Sequence, residues 1–110
     1  MTLREPIPLG TLDMLILNTL SRDRKMHGFE IAEAIERAST DVFRVEEGSL
    51  YPALQRMLAN GWIVGEWGRT GANRRARYYR TTAAGRQELE RERRAYQRVS
   101  HAMALALRLV

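Results

Sequence analysis

Side chains that could carry out chemistry are sparse in this sequence. Cysteine is absent, and His27 and His101 are its two histidines. This excludes disulfides, thiolate metal sites and a cysteine nucleophile, and it leaves too few histidines for a histidine-rich zinc site. We therefore predict no metal and no cofactor. His27 directly precedes Gly28, and we expect it to form a hydrogen bond at the start of a helix rather than to act as a catalytic base.

The carboxylates do not converge on a candidate active site. Asp13 lies near a predicted helix start and Glu46–Glu47 precede another, where the helix dipole and capping account for an acidic side chain. The remaining acids are spread along predicted helices as charged faces. Since no acid, base and nucleophile come together, the sequence predicts that this protein is not an enzyme.

Arginine is the residue type whose distribution stands out. The chain has a net charge of +5, and six arginines lie between positions 69 and 86 with no acidic residue among them: Arg69, Arg74, Arg75, Arg77, Arg80 and Arg86. A guanidinium group is a planar fork that suits phosphates and the edges of guanine bases. The stretch therefore predicts contact with nucleic acid. The alternative is a basic surface that is simply solvated.

Length and composition limit what can position these arginines. The 110 residues have a mass of 12.7 kDa, with 45% hydrophobic and 28% charged residues, which is typical of one globular domain. No apolar run approaches the length of a membrane span, and no secretory leader is recognisable. We expect a cytoplasmic protein without a membrane partner.

The first half of the chain predicts three helices. Pro6 and Pro8 indicate an extended segment, and Thr11 is the expected N-cap of a helix from Leu12 to Ser21. That helix is apolar around most of its circumference, so it must be covered by the core and, we expect, by a second subunit. A polar loop leads to a second helix over 29–38, with a single apolar stripe.

The third helix is predicted from Glu47 to Asn60, with Pro52 near its beginning and Gly61 as a left-handed cap. Its inward stripe is Leu50, Leu54, Met57 and Leu58. Its opposite face consists of Gly48, Pro52, Gln55, Arg56 and Ala59, with Ser49 and Tyr51 beside it. Small residues let this face approach a surface closely, where Gln55 and Arg56 can reach base edges. An ordinary solvent-exposed face is the alternative.

A two-stranded ribbon is expected next. Strand-forming residues run from Trp62 to Trp67, a turn cluster follows at 70–73, and a second strand is predicted over Arg75–Thr81. The tip and the returning strand carry the arginines from Arg69 to Arg80. One of Tyr78 and Tyr79 should pack inward, and the pattern does not decide which.

Thr82 is predicted to cap a long final helix that runs from about Ala83 to near the C-terminus. Leu89, Tyr96, Met103 and Val110 recur every seven residues, with Val99 and Ala106 at the intermediate position and Glu92 as an interruption. Such a seam needs a partner, and we expect it to join two copies of the chain. Folding back on its own domain is the alternative.

These elements predict a mostly α fold with a small β-hairpin, in which a winged helix-turn-helix over 1–82 is followed by a C-terminal dimerisation helix over 83–110, the whole forming one compact unit. In this arrangement the third helix enters the major groove of double-stranded DNA and the arginine-rich wing contacts adjacent phosphates.

The sequence resembles the PadR family of bacterial transcriptional regulators over about residues 9–105. The resemblance is carried by Leu9–Asp13, His27–Ile31, Glu47–Leu54 and Tyr78–Gly85. The family often has tyrosine after His-Gly where this chain has Phe29, so a hydrogen bond through that hydroxyl is not expected. The single final helix is similar to that of short-tailed members.

The resemblance implies a homodimeric winged-helix protein that binds a palindromic operator and usually represses, with the first helix packed on the partner's last helix. It implies that Ser49, Tyr51 and Pro52 lie in the DNA-reading helix and Arg74, Arg75 and Arg77 in the wing. In some relatives a small aromatic or drug-like molecule binds between the subunits and releases DNA, and Tyr96 and Met103 line the matching helix here.

Two sets of residues are thus predicted to contact partners. The DNA-contacting set is Ser49, Tyr51, Pro52, Gln55, Arg56, Arg69, Arg74, Arg75 and Arg77. The dimerisation set is Leu12, Leu15, Ile16, Leu89, Tyr96, Val99, Met103 and Ala106. A protein-interaction module without sequence-specific DNA binding is the alternative function.

Overall fold

The computed structural model describes residues 4–22 and 24–109, and four helices and five strands follow one another within them. In chain order these are β1 (Glu5–Pro6), α1 (Leu12–Leu20), β2 (Met26–His27), α2 (Gly28–Ala38), β3 (Phe43–Arg44), α3 (Glu47–Ala59), β4 (Ile63–Arg69), β5 (Arg75–Thr81) and α4 (Ala83–Ala106). The predicted winged helix-turn-helix with a long final helix is confirmed.

The predicted ribbon is an antiparallel hairpin whose register runs from Ile63 opposite Thr81 to Arg69 opposite Arg75. Two features of the sheets were not predicted. The short strand β2, placed in a loop by the sequence pattern, pairs antiparallel with β5 and makes a three-stranded sheet in the order β2-β5-β4. A parallel pair also joins β1 to β3. Strands of two residues are too short to show an alternating pattern.

Local hydrogen bonds explain where the helices begin. The His27 Nδ1 atom accepts a bond from the Glu30 amide, and the Glu30 carboxylate accepts one from the His27 amide, which together form a capping box at α2. This confirms a hydrogen-bonding role for His27. Thr82 caps α4 as predicted, accepting a bond from the Gly85 amide. Thr11 occupies the N-cap position of α1, but its hydroxyl donates to the Pro8 carbonyl instead of capping the helix.

The hydrophobic core lies between α1, α2, α3, the sheet and the first turns of α4. Its members are Ile16, Leu17, Leu20, Met26, Ile31, Ile35, Leu50, Ala53, Leu54, Met57, Ile63, Tyr79 and Leu89. Tyr79 is therefore the inward tyrosine, and Tyr78 lies half-buried on the other face of β5.

Two residues predicted to contact a second subunit belong to this core instead. Ile16 is 0% exposed and Leu89 is 6% exposed, because α4 begins by packing on α1 within the same chain. Neither side chain has surface left for a partner, so their assignment to the dimer surface is wrong. Val110, predicted to extend the same seam, lies outside the described residues.

Beyond Leu89, α4 extends away from the core with most of its side chains exposed. Across residues 4–22 and 24–109, none of the helices combines the length and the apolarity needed to cross a bilayer.

Candidate nucleic-acid interface

Helix α3 presents its predicted outer face to solvent. Gly48, Pro52, Gln55, Arg56 and Ala59 are exposed, while Leu50, Ala53, Leu54 and Met57 are buried on the opposite side. Gly61 closes the helix at φ +74°, a conformation that glycine adopts without strain. The helix is therefore fixed from behind and its small-residue face is open for approach by another molecule.

Tyr51 connects α3 to the start of α2. Its ring lies against Gly28, where a Cβ atom would come within 3.2 Å of the Tyr51 ring and hydroxyl. The side chain remains 46% exposed, so it lies at the edge of the α3 face rather than in the core. Gly28 thus permits the close packing of the two helices that form the helix-turn-helix.

Arg56 is held by an acidic residue from α1. Its Nη2 atom lies 2.5 Å from the Asp13 Oδ1 atom, and the side chains are 54% and 17% exposed, respectively. The pair borders a groove of about 630 Å³ between α3 and residues 4–10, with Ser49 and Pro52 also in its wall. Asp13 was predicted only to suit the start of a helix, and its contact with Arg56 was missed.

One face of the wing, the hairpin β4–β5, combines an exposed tryptophan with arginines. The Arg75 guanidinium lies 4.4 Å from the centroid of the Trp67 ring, a cation–π contact. Arg77 lies across Gly65, where a Cβ atom would come within 2.6 Å of its Nε atom. That Nε atom is buried and has no hydrogen-bond partner in the described part of the chain. Arg77 is thus half-buried rather than freely exposed.

The other face of the wing carries one carboxylate beside two cations. The Glu66 carboxylate lies 3.0 Å from Lys25 Nζ and 3.7 Å from Arg80 Nη2. Hydrogen bonding and attraction to Lys25 lower the pKa of Glu66. Tyr78 is on this face and donates its hydroxyl to the Arg69 carbonyl at 3.0 Å. On this side of the hairpin, Glu66 therefore offsets part of the positive charge of Lys25 and Arg80.

The wing tip has a tight turn and unneutralised arginines. The turn is closed by hydrogen bonds from the Thr70 amide to the Arg74 carbonyl and from the Asn73 amide to the Thr70 carbonyl, with Asn73 at φ +61°. Arg69 donates to the Asn73 carbonyl at 3.2 Å. Within residues 4–22 and 24–109, no carboxylate forms an ion pair with Arg69, Arg74, Arg75 or Arg77. Their charge is therefore available to an anionic partner.

The inner face of the wing also approaches α3. Burial raises the pKa of Tyr79, the charge of Arg77 opposes that rise, and Tyr51 adds to it. Tyr51 and Arg77 therefore lie close enough to Tyr79 to affect its ionisation. The edge of α3 and the inner face of the wing thus both lie near the buried Tyr79.

A second exposed surface lies on α4. Tyr96, Val99, Met103 and Ala106 are exposed there, while Leu12 and Leu15 on α1 remain half-buried. A groove of about 500 Å³ separates the start of α1 from α4, and its apolar walls include Met14, Trp62, Tyr96 and Val99. Met103, predicted beside Tyr96 as an effector contact, lies two turns further along α4 and is not in the wall of this groove.

Glu92, which interrupts the apolar seam, borders the same groove. Burial, hydrogen bonding with Glu88, and the negative charges of Glu88 and Asp13 raise the pKa of Glu92 to about 7, with Arg91 opposing the shift. Hydrogen bonding to Arg91 lowers the pKa of Glu88. A neutral Glu92 fits an apolar seam better than a charged one.

Among the described residues, no cluster of three or more His, Cys, Asp or Glu could hold a metal ion.

Trp67 and Asp13 are the residues of this surface that sequence reasoning missed. Trp67 was assigned only to a strand, although its spacing from Arg75 across a short turn was a usable signal for pairing. Asp13 and Arg56 are 43 positions apart, and no local pattern connects them.

Comparison with known proteins agrees with this arrangement. Residues 16–91 match the family described as Transcriptional regulator PadR-like family. The chain is 37% identical over 78 residues to Transcriptional regulator Rv3488 of Mycobacterium tuberculosis, covering 71% of this chain and 69% of that protein. A transcriptional regulator of Clostridium thermocellum superposes with a TM-score of 0.77 at 26% identity, covering 86% of this chain and 90% of that one.

Bacillus subtilis PadR, whose structure is known in complex with operator DNA, superposes with a TM-score of 0.64 at 24% identity. The match covers 76% of this chain and 46% of that one, and it shows a common fold. The match over 16–91 and the identity to the mycobacterial regulator show family membership in addition to a common fold. This chain belongs to the PadR-like family and is a transcriptional regulator, not an enzyme.

Proposed function

We propose that the protein is a homodimeric, sequence-specific DNA-binding repressor of a palindromic operator. The observation that carries this proposal is the surface on which the open α3 face adjoins a wing with four arginines, none of them paired with a carboxylate in the described part of the chain. A surface of this kind attracts a polyanion, and the small-residue face of α3 lets the helix backbone approach it closely.

In this proposal α3 lies in the major groove. Gly48 and Pro52 lack long side chains, so the helix can sit deep enough for Ser49, Gln55 and Arg56 to reach base edges. Tyr51, at the edge of the same face, contacts the sugar-phosphate backbone. These contacts select the sequence, whereas those of the wing set position and affinity.

The wing lies over phosphates beside that groove. Arg69, Arg74 and Arg75 are exposed at and near its tip and supply most of its charge. Trp67 holds the Arg75 guanidinium by stacking, so part of the cost of ordering that side chain is met before DNA binds. Arg77, buried at its Nε atom, offers its terminal nitrogens from beside Trp67, further from the tip than Arg75.

Residues 83–110 form the dimerisation helix of this proposal, and 1–82 the DNA-binding part. Tyr96, Val99, Met103 and Ala106 contact the second copy, together with Leu12 and Leu15 of α1. An aromatic or drug-like effector that releases DNA would enter the groove between α1 and α4 at Tyr96. The complex of Bacillus subtilis PadR with operator DNA supports the DNA partner. We expect action in the cytoplasm, where bacterial operators lie.

Selection of bound duplexes from a random pool, followed by a salt series, tests the proposal. The expected selection is a symmetric motif with half-sites about one helical turn, roughly 34 Å, apart. A dimer that neutralises about eight phosphates should lose affinity with a log–log salt slope near −7. No selected motif together with a flat salt response would overturn the proposal and favour a protein-docking role for the winged helix.

A further inference from the structure

Asp13 lies where two grooves of the molecule meet. The groove beside α3 and the groove beside α4 both include Gly10 and Asp13 in their walls. Asp13 is in the first turn of α1, where the helix dipole stabilises a negative charge. Its backbone is fixed by the turn in which the Thr11 amide and hydroxyl both donate to the Pro8 carbonyl. Asp13 is therefore a rigidly placed anion behind the exposed face of α3.

The ion pair with Arg56 is asymmetric in its exposure. Asp13 is largely covered, whereas more than half of the Arg56 side chain is exposed. Asp13 takes a hydrogen bond from one terminal nitrogen of Arg56, and a guanidinium has five N–H donors. Within the described residues, the other donors of Arg56 form no hydrogen bond. The contact thus fixes the orientation of the guanidinium without hiding it.

The Arg44–Glu46 ion pair at the same groove lacks that arrangement. Arg44 and Glu46 both have largely exposed side chains, at 64% and 66%, and lie two residues apart. Such a pair is screened by water and restricts neither partner strongly. The Asp13–Arg56 pair joins two helices and includes a mostly buried acid, so it restrains the arginine more effectively.

We propose that Asp13 is a positioning residue for base recognition. It orients the Arg56 guanidinium on α3, so that the free N–H donors of Arg56 are already ordered when they meet a base edge. This inference rests on the proposed function. Arginine most often reads guanine through two parallel hydrogen bonds, which require the fork in one plane and direction. A flexible arginine must lose its rotamer freedom on binding, and a restrained one has less to lose.

The experiment compares binding of the wild-type-selected duplex with binding of a scrambled duplex. Asp13→Asn keeps the size of the side chain and removes its charge. We expect it to lower the ratio of selected to scrambled affinity by about threefold to tenfold for each copy bound. Affinity for the scrambled duplex should be unchanged or slightly higher, since the protein gains positive charge. Glu46→Gln, which breaks the exposed pair at the same groove, is the matched control and should keep the wild-type ratio.

A double-mutant cycle separates positioning from a general structural role. Arg56→Ala should lower the ratio, and adding Asp13→Asn to Arg56→Ala should change it no further, because Asp13 acts through Arg56. Thermal unfolding of each variant reports whether it folds. If Asp13→Asn does not fold, Asp13→Glu keeps the charge and displaces the carboxylate by one methylene. It should fold and still lower the ratio.

Two results would overturn the inference alone. One is a ratio of selected to scrambled affinity in Asp13→Asn that equals the wild-type ratio. If Asp13→Asn does not fold, the same result in Asp13→Glu has this meaning. The other is an equal loss for selected and scrambled duplexes that persists in the Arg56→Ala background. Failure of the wild-type chain to prefer any duplex would instead overturn the proposed function, and this inference with it.

Discussion

The arginines near α3 and those of the wing have opposite surroundings. Beside α3, Arg56 pairs with Asp13 at 2.5 Å, Arg44 with Glu46 at 3.3 Å, and Arg4 with Glu36 at 3.5 Å. On the wing, Arg69, Arg74, Arg75 and Arg77 pair with no carboxylate of the described segments. The same residue type thus supplies a directed hydrogen-bond donor in one region and uncompensated charge in the other.

This difference corresponds to two physical tasks in DNA recognition. A phosphate attracts any nearby cation. The affinity gained by releasing counterions depends on how many phosphates are neutralised more than on the orientation of each side chain. A base edge forms hydrogen bonds only with donors at fixed positions. A carboxylate beside an arginine holds the guanidinium in one orientation and also reduces its attraction to any phosphate. The comparison predicts that the two regions respond differently to substitution.

Separating the two copies should have the largest effect. Met103→Glu places a charge in the proposed α4 seam, and we expect it to cost about 3–5 kcal/mol of association free energy, since the charge would be buried without a partner. Specific binding needs two α3 helices in register, whereas the wing of one copy still attracts phosphates. Most of the sequence preference should therefore disappear while weak binding to any duplex remains. Sedimentation and duplex titration measure both.

Gln97→Glu adds the same charge on the side of α4 that faces away from Tyr96 and Met103, and it serves as the control for Met103→Glu. We expect Gln97→Glu to remain a dimer. A Met103→Glu protein that sediments as an intact dimer would reject the assignment of this seam.

Arg56→Ala should cost about 1–3 kcal/mol of specific binding and relax the preference at particular base pairs, because a directed donor is removed. The salt slope should change little, since Asp13 already neutralises this charge. Repeating the random-pool selection with the variant identifies the affected positions. Arg98→Ala removes one positive charge from α4, away from this surface, and is the control. A uniform loss over all sequences would contradict a base-reading role.

Arg75→Ala should weaken binding to all sequences alike. The log–log salt slope should become shallower by about one for each phosphate that the arginine no longer neutralises. The matched control is Arg80→Ala, in the same strand, whose guanidinium is near Glu66 on the opposite face of the wing. Arg80→Ala should leave the slope nearly unchanged. If Arg75→Ala instead altered preference at single base pairs, the roles of wing and helix would be exchanged.

The smallest expected effect concerns stability. The pKa of Glu92 is raised from 4.5 to about 7 in the folded chain, so the folded state binds this proton more tightly than the unfolded state. Stability from this group is complete below pH 4.5 and decreases as the pH rises towards 7. After allowance for solvent screening the loss should be about 1 kcal/mol. Urea unfolding at pH 5 and pH 8 measures it.

Glu92→Gln keeps the shape of the side chain and cannot lose a proton. We expect it to stabilise the protein at pH 8 and to reduce the difference between the two pH values. Glu90→Gln, on the exposed side of α4, controls for charge and should keep the wild-type difference. Equal pH responses of the wild-type and Glu92→Gln proteins would contradict the raised pKa.

Much of the fold was predictable because its signals are local. Gly61 ends α3 at a positive φ, Thr82 begins α4, and Leu50, Leu54 and Met57 identify the buried side of α3. Each of these depends on residues within one or two helical turns. The two-residue strands β1, β2 and β3 were missed because their pairing depends on strands far away in the chain.

The surface residues were predicted as a set, but their individual environments were not. Ile16 and Leu89 have the apolar spacing of an interface and are nevertheless in the core. Tyr78 and Tyr79 are adjacent and similar, and only the packing of β5 against the helices determined which one is buried. Apolar periodicity identifies a face that must be covered, and it carries no information on what covers it.

The sequence by itself determined where the helices end, which side of α3 is apolar, and that one short segment holds an excess of arginine. These follow from backbone preferences and from periodicity along the chain. Only the tertiary structure decided which arginines are neutralised, that the Trp67 ring contacts the Arg75 guanidinium, and that Asp13 forms an ion pair with Arg56. Coulombic attraction and stacking depend on distance in space, and residues 43 positions apart become neighbours only after the chain has folded.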